Sequence, residues 1–253
     1  MAMAQNKNRL VDRTVLPSAQ SHLAEEESKL QLEISALEDF LNRLNEIPEQ
    51  PYRADGGTLT DTFRTQESPT HSPHEAVKTA YQETVLAVDH WEDAYNEETA
   101  LESIENEFGP DVATGLEGGP TTWSPLLWNQ LHTASEEAIE TRQQTLEVLM
   151  AEQQQFKELQ CSLDEIGDEL ALIERGHYTF DDRSNRLQII RDQLEQVTLN
   201  QQSYLRQRET MDGRKFLSMI YAKLETDYPG LLALTTARQI FDRIELRHWA
   251  GLN

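Results

Sequence analysis

The residues with chemistry to offer are few and scattered. His71 and His74, or His90 with Glu92 and Asp93, carry side chains that ligate metals. The first pair falls at the end of a Pro- and Gly-containing stretch, and the second group would not put three ligands on one face of a helix. No HExxH sequence, no carboxylate-plus-histidine bundle pattern and no cysteine cluster accompanies them, so solvated or capping histidines are expected. The single cysteine, Cys161, has only Lys157 as a cation in its own turn. A thiol whose pKa is not depressed is a poor nucleophile, so Cys161 reads as buried filler or an inert surface thiol. Gly115 to Gly119 follows no strand and is a loop rather than a phosphate cradle. Asp181 and Asp182 suit a helix start better than an acid/base pair. No constellation supports catalysis, so the expectation is a non-enzyme with no cofactor and no metal.

Two further groups concern recognition. Trp91, Tyr95, Trp123 and Trp128 form an aromatic set, read as packing that anchors residues 74–118 on a long helix, with a ligand pocket as the alternative. Arg238, Arg243, Arg247 and His248 lie on a C-terminal segment that reads, at its most generous, as the second helix of a helix-turn-helix. Asp242 and Glu245 interleave with them, so the local basic excess is small.

The elements that carry these residues are helical. Residues 1–17 read as a mobile tail and 18–47 as a coiled-coil helix, in which Leu23, Leu30, Leu37 and Leu44 recur every seven residues with Ile34 and Leu41 between them. Pro48 and Pro51 stop it, and 48–73 is a flexible linker by composition. Ser72-Pro73-His74-Glu75 reads as a cap and first turn. It opens a small helical subdomain, 74–118, carrying Val77, Tyr81, Val85 and Val88 and then Leu101, Ile104 and Phe108.

Ser124-Pro125 starts a helix with room to run to Arg175, about 75 Å at 1.5 Å per residue. Its second half has a seam of Phe156, Leu159, Leu163, Ile166, Leu170 and Ile173. Gly176 ends it. The next helix has its own seam of Leu187, Ile190, Leu194, Val197, Gln201, Tyr204, Arg208 and Met211. Folding one on the other makes 124–211 an antiparallel coiled-coil hairpin, with Ile173 opposite Leu187, Leu163 opposite Val197 and Leu149 opposite Met211. In that register the two seam charges, Glu152 and Arg208, share a layer as an ion pair; any slip sets each against an apolar residue. The alternative is that both helices serve a partner chain. Residues 214–250 form a C-terminal helical hairpin, with Phe216, Met219, Ile220 and Leu224 before the Asp227-Tyr228-Pro229-Gly230 turn and Leu231, Leu234, Ile240, Phe241, Ile244 and Trp249 after it.

Composition sets the solvent and the partners. The 253 residues include 45 Asp plus Glu against 22 Lys plus Arg, most of the latter Arg, for a net charge of −23. Such like charge opposes compaction and is screened when the Debye length falls to about 3 Å in molar salt. A salt-rich cytoplasm fits; an acidic coiled coil of ordinary salt is the plainer alternative. Phosphate backbones and anionic membranes are repelled, so nucleic acid is an unfavourable partner and membrane is excluded. One cysteine permits no internal disulfide, no apolar run reaches a membrane span, and no secretory signal is visible, so the expected address is cytoplasmic.

Residues 80–88 (AYQETVLAV) and 101–113 (LESIENEFGPDVA) carry a further signal, with Ile220-Tyr221-Ala222, Asp227-Tyr228-Pro229 and the leading helix ending in Glu46-Ile47-Pro48. Together these resemble a family of uncharacterised helical proteins from haloarchaea, a domain of unknown function, over nearly the whole chain. The resemblance implies a cytoplasmic protein with coiled-coil helices and supplies no activity. Some relatives have cysteines in the last helix where this chain has none, so the resemblance brings no metal with it.

The expectation is therefore an all-α protein: a long antiparallel coiled-coil hairpin, an N-terminal third helix in cis or from a second chain, and small helical subdomains. Its expected role is interaction or scaffolding through a protein partner or self-association. A DNA-binding regulator using the C-terminal hairpin is the alternative.

Overall fold

The computed structural model describes residues 9–49, 72–90, 99–119, 122–208, 214–224 and 226–251. Trp91, Glu92, Asp93, Tyr95, His71, Met211, residues 50–71 of the 48–73 linker and residues 1–8 of the 1–17 tail lie outside them. The described residues are all-α: α1 (Leu16–Glu46), α2 (Pro73–Thr84), α3 (Ala100–Phe108), α4 (Pro110–Glu117), α5 (Pro125–Glu174), α6 (Phe180–Arg208), α7 (Arg214–Tyr221) and α8 (Pro229–Trp249), with short 3-10 turns at Val11–Arg13 and Ala222–Leu224. They divide into two compact units, Ser28–Leu146 and Met1–Glu27 with Glu147–Asn253, whose boundaries fall inside α1 and α5.

In the unit Ser28–Leu146, the helix starts follow local chemistry. The Ser72 hydroxyl accepts from Glu75 N with Pro73 in the first turn, Thr99 accepts from Glu102 N, and Ser124 accepts from Leu127 N. Each satisfies an N–H that has no partner inside the helix. Gly109 turns α3 into α4 at a φ of 93°, a conformation that costs a Cβ-bearing residue free energy. The core gathers Leu37, Phe40 and Leu44 of α1 with Val77, Tyr81, Ile104, Phe108, Leu116 and Leu131 of the other helices. Phe40 is its centre: its ring meets Tyr81 edge-on at 5.3 Å and stacks on Phe108 at 5.7 Å.

Two expectations change here. Leu23, Leu30, Leu37 and Leu44 are buried as their spacing predicts, but Ile34 and Leu41 are only half-buried, and Glu33 and Phe40 take the inner positions. A helix with neighbours on more than one side buries a wider stripe than a two-helix seam does. The tryptophans also do more than anchor α2 to α4. Trp123 Nε1 donates to Pro48 O at 2.9 Å and Trp128 Nε1 to Ile47 O at 3.2 Å, satisfying carbonyls just past the end of α1.

In the other unit, α5 and α6 run antiparallel. Going from Glu169 to Gln155 to Glu152 along α5, the hydrogen-bonded partners on α6 go from Arg186 to Gln201 to Tyr204 and Arg208. The turn between them closes at Gly176 (φ 75°), with Gly176 N bonded to Ile173 O and His177 N to Leu172 O. Thr179, rather than Asp181 or Asp182, caps α6: its hydroxyl accepts from Asp182 N and donates to the Asp182 carboxylate.

Phe156, Leu159, Leu163, Ile166, Leu170, Ile173, Leu187, Ile190 and Leu194 are all buried. Val197 and Tyr204 are only half-buried, and Leu205, absent from the predicted seam, is buried instead. The reason is a further helix. The α8 inner face (Ala233, Leu234, Ala237, Phe241, Ile244) packs on α6, and Leu205 lines a cleft with Tyr228 and Leu231. Gly230 lets α8 approach, since a Cβ there would lie 2.6 Å from Gln201 Nε2. The start of α1 joins in cis, with Gln20 bonded to Gln160 at 3.0 Å and Gln153 to Glu27 at 2.7 Å.

Replacing Phe40 by Ala removes the ring at the centre of the first core. We expect a loss of about 3–5 kcal/mol in the unfolding of that unit, the range for deleting a buried aromatic side chain. Denaturant unfolding followed by tryptophan fluorescence measures it; an unchanged midpoint would contradict this packing.

Candidate functional site

Two buried charged clusters stand out, one in each unit. In the second unit the Glu152 carboxylate is 1 % exposed and accepts from three donors. Arg208 Nη1 donates to Oε1 at 2.8 Å, Tyr221 OH to Oε1 at 3.0 Å and Tyr204 OH to Oε2 at 2.5 Å. The donors come from α6 and α7 and the carboxylate from α5, so three helices meet at this one group. Phe156 stacks on Tyr221 at 6.2 Å and closes the apolar side. Burial first, and then the negative charge of Glu152, push the Tyr204 and Tyr221 hydroxyls above the ordinary phenol range. Both therefore remain donors. Arg208 continues outward, with Nη2 3.4 Å from Asp227 O and its guanidinium 5.8 Å from the centroid of the Tyr228 ring. The two charges that the predicted register sets in one layer thus lie in one layer.

In the unit Ser28–Leu146 the centre is Arg142 of α5. Its Nε donates to Glu33 Oε2 at 2.7 Å, and Nη1 and Nη2 grip Glu107 in a bidentate fork at 2.5 and 2.9 Å. His90 Nε2 lies 2.9 Å from the other Glu33 oxygen. This cluster ties α1, α3 and α5 together and is not among the candidates named from the sequence. The signal for it was present: Leu131, Ser135, Ala138, Arg142, Leu149 and Glu152 continue the α5 seam backward by steps of three, four and seven, which puts Arg142 on the buried stripe.

The remaining candidates disperse. His74 is buried, 3.0 Å from the Thr122 hydroxyl and edge-on to Trp123 at 5.5 Å, and desolvation holds its pKa below the ordinary 6.5. Cys161 is exposed. Gly115 lies against Leu127, where a Cβ would come within 2.6 Å, so its role is close helix packing. Among the described residues no group of three His, Cys, Asp or Glu side chains is placed to hold a metal ion. Arg238 pairs with Asp242 at 3.0 Å and Arg247 with Glu174 at 3.1 Å, while His248 meets the Ser184 hydroxyl at 3.0 Å. The helix that would read DNA therefore has two of its three arginines neutralised by acids and its inner face buried.

Chemically, both clusters are closed. Each carboxylate is saturated by donors from the same chain, and neither Glu152 nor Glu33 has more than a few per cent of its surface in water. Such groups fix helices against one another; they do not meet a substrate. The structure is thus that of an all-α protein with internally neutralised buried charge, and among the described residues no helix is long and apolar enough to cross a membrane. The chain belongs to the family of the domain of unknown function DUF7260, which matches residues 14–245. No curated protein and no solved structure matches it.

Arg208→Met strands the Glu152 carboxylate among its phenols. The expected loss is about 3–5 kcal/mol, and replacing Glu152 and Arg208 together by Leu should cost clearly less than the two single losses summed. A double-mutant cycle in urea reads this; additive losses would contradict a coupled pair.

His74 sets a pH dependence of known sign. Its folded pKa lies below the unfolded one, so its stabilising contribution is complete above about pH 6.5 and is lost as the pH falls through and below that value. Unfolding free energy should therefore drop more steeply between pH 7 and pH 5 in the wild type than in His74→Gln. Equal slopes would contradict the burial of a neutral imidazole.

Proposed function

We propose that this chain is an interaction protein of a salt-rich cytoplasm, acting as a scaffold through its helical surfaces rather than by catalysis. One observation carries the reading. Phe180, Leu246 and Trp249 are 56, 69 and 60 % exposed, and ring contacts gather Phe180, His248 and Trp249 into one ordered set. Aromatic side chains fixed in water-facing positions, beside a well-packed core, are what a protein-binding surface presents. The closed state of the two ionic clusters supports a structural role for the buried charge. The net charge of −23 supports the salt-rich setting, because molar salt removes the repulsion that such a surface generates. It also weighs against nucleic acid and anionic membranes as partners.

Site-specific photocrosslinking tests this. Benzoylphenylalanine placed at Leu246 in cells expressing the full chain should give discrete protein adducts, and the same group at Leu126, exposed in the other unit, should not. Equal, diffuse labelling from both positions would contradict the reading.

A further inference from the structure

We infer that the partner of the Phe180–Trp249 surface is a second copy of this chain, joined about a two-fold axis; the inference rests on the interaction reading above and names its occupant. The surface is built in advance. Phe180, the first residue of α6, stacks on His248 at 4.4 Å, and Trp249 stands edge-on to Phe180 at 6.1 Å and to His248 at 4.9 Å. His248 is held in turn by Ser184. Leu246 lies three residues before Trp249, on the same side of α8. The rings lose little freedom on docking because the fold has already placed them.

The rim decides what can dock. Asp181, exposed, follows Phe180 at the start of α6, and Arg243, also exposed, lies one turn before Leu246 on α8. Among the described residues neither makes an ion pair. The apolar centre thus has an acid at one edge and an arginine at another. Two copies related by a two-fold axis set the Asp181 of each against the Arg243 of the other, with rings against rings. A partner lacking such a cation would bring nothing to Asp181. The net charge of −23 on each copy opposes the dimer at long range, while the apolar centre is insensitive to salt. Association is therefore stronger in molar KCl, where the Debye length is about 3 Å, than at 0.1 M, where it is about 10 Å.

Sedimentation velocity of the full chain, over a range of concentrations at low and molar KCl, tests the inference. The wild type should show a monomer–dimer equilibrium that shifts towards dimer with salt. Trp249→Glu should leave a folded monomer, with unchanged helical circular dichroism. Asp181→Arg and Arg243→Asp should each weaken the dimer by roughly tenfold or more, and the two together should restore it to within a few-fold of the wild type. A wild type that stays monomeric throughout, a dimer indifferent to Trp249→Glu, or a charge swap that fails to restore association overturns the inference. A monomer that still gives adducts of other proteins from Leu246 overturns the self-pairing alone and leaves the interaction reading standing; a monomer without adducts ends both.

Discussion

The Glu152 carboxylate is the constraint around which its unit is arranged. A buried ion costs several kcal/mol in desolvation, and only well-placed opposite charge and hydrogen bonds offset that cost. Here Arg208, Tyr204 and Tyr221 supply them from two other helices. Shifting α6 by one turn along α5 would strand two charges and two phenols at once, whereas the leucines and isoleucines of the seam would merely exchange neighbours. The apolar residues hold the helices together; the polar layer selects how they meet.

The same division of labour recurs in the other unit. Phe40 and its aromatic neighbours fill the core, and Arg142, between Glu33 and Glu107, joins α1 and α3 to α5. A chain with twice as many acids as bases has few cations to place inside. Among the described residues the buried ones, Arg142 and Arg208, are arginines, whose planar fork satisfies more than one acceptor. Further acids pair nearer the surface, Glu169 with Arg186, Asp242 with Arg238 and Glu174 with Arg247. That arrangement suits strong screening and leaves an exposed aromatic surface as the feature most unlike its surroundings.

Much of this was legible in the sequence, and the failures have physical causes. The α5 seam from Phe156 to Ile173, the turn at Gly176 and the layer of Glu152 and Arg208 follow from spacing, because a helix converts spacing into direction. The inner positions of α1 did not follow. Residues 30, 33, 37, 40 and 44 fit a heptad as well as 30, 34, 37, 41 and 44 do, and the apolar pair Ile34 and Leu41 looked the better choice. The structure buries Glu33 and Phe40 because Arg142 waits opposite Glu33, a fact of tertiary pairing that no local pattern contains. Val197, Tyr204 and Leu205 were misplaced for a related reason. Periodicity shows which face of α6 is apolar, and the arrival of α8 decides how wide the buried face becomes. His90 reads in the sequence as a solvated or capping side chain, whereas its partner in the fold is Glu33, far away along the chain.

The central claim is that the buried ionic layer, more than the apolar seam, selects the pairing of α5 with α6. Cys161, the single cysteine, is exposed on α5, and Leu199 is exposed on α6. In the register that sets Leu163 opposite Val197 and pairs Glu152 with Arg208, residues 161 and 199 lie level with each other. Pulsed electron paramagnetic resonance between spin labels at Cys161 and at a cysteine replacing Leu199 reads that register directly. The account predicts one narrow, short distance in the otherwise native chain, and a broadened or divided distribution when Glu152 and Arg208 are both replaced by Leu. The same narrow distance in both proteins would contradict it.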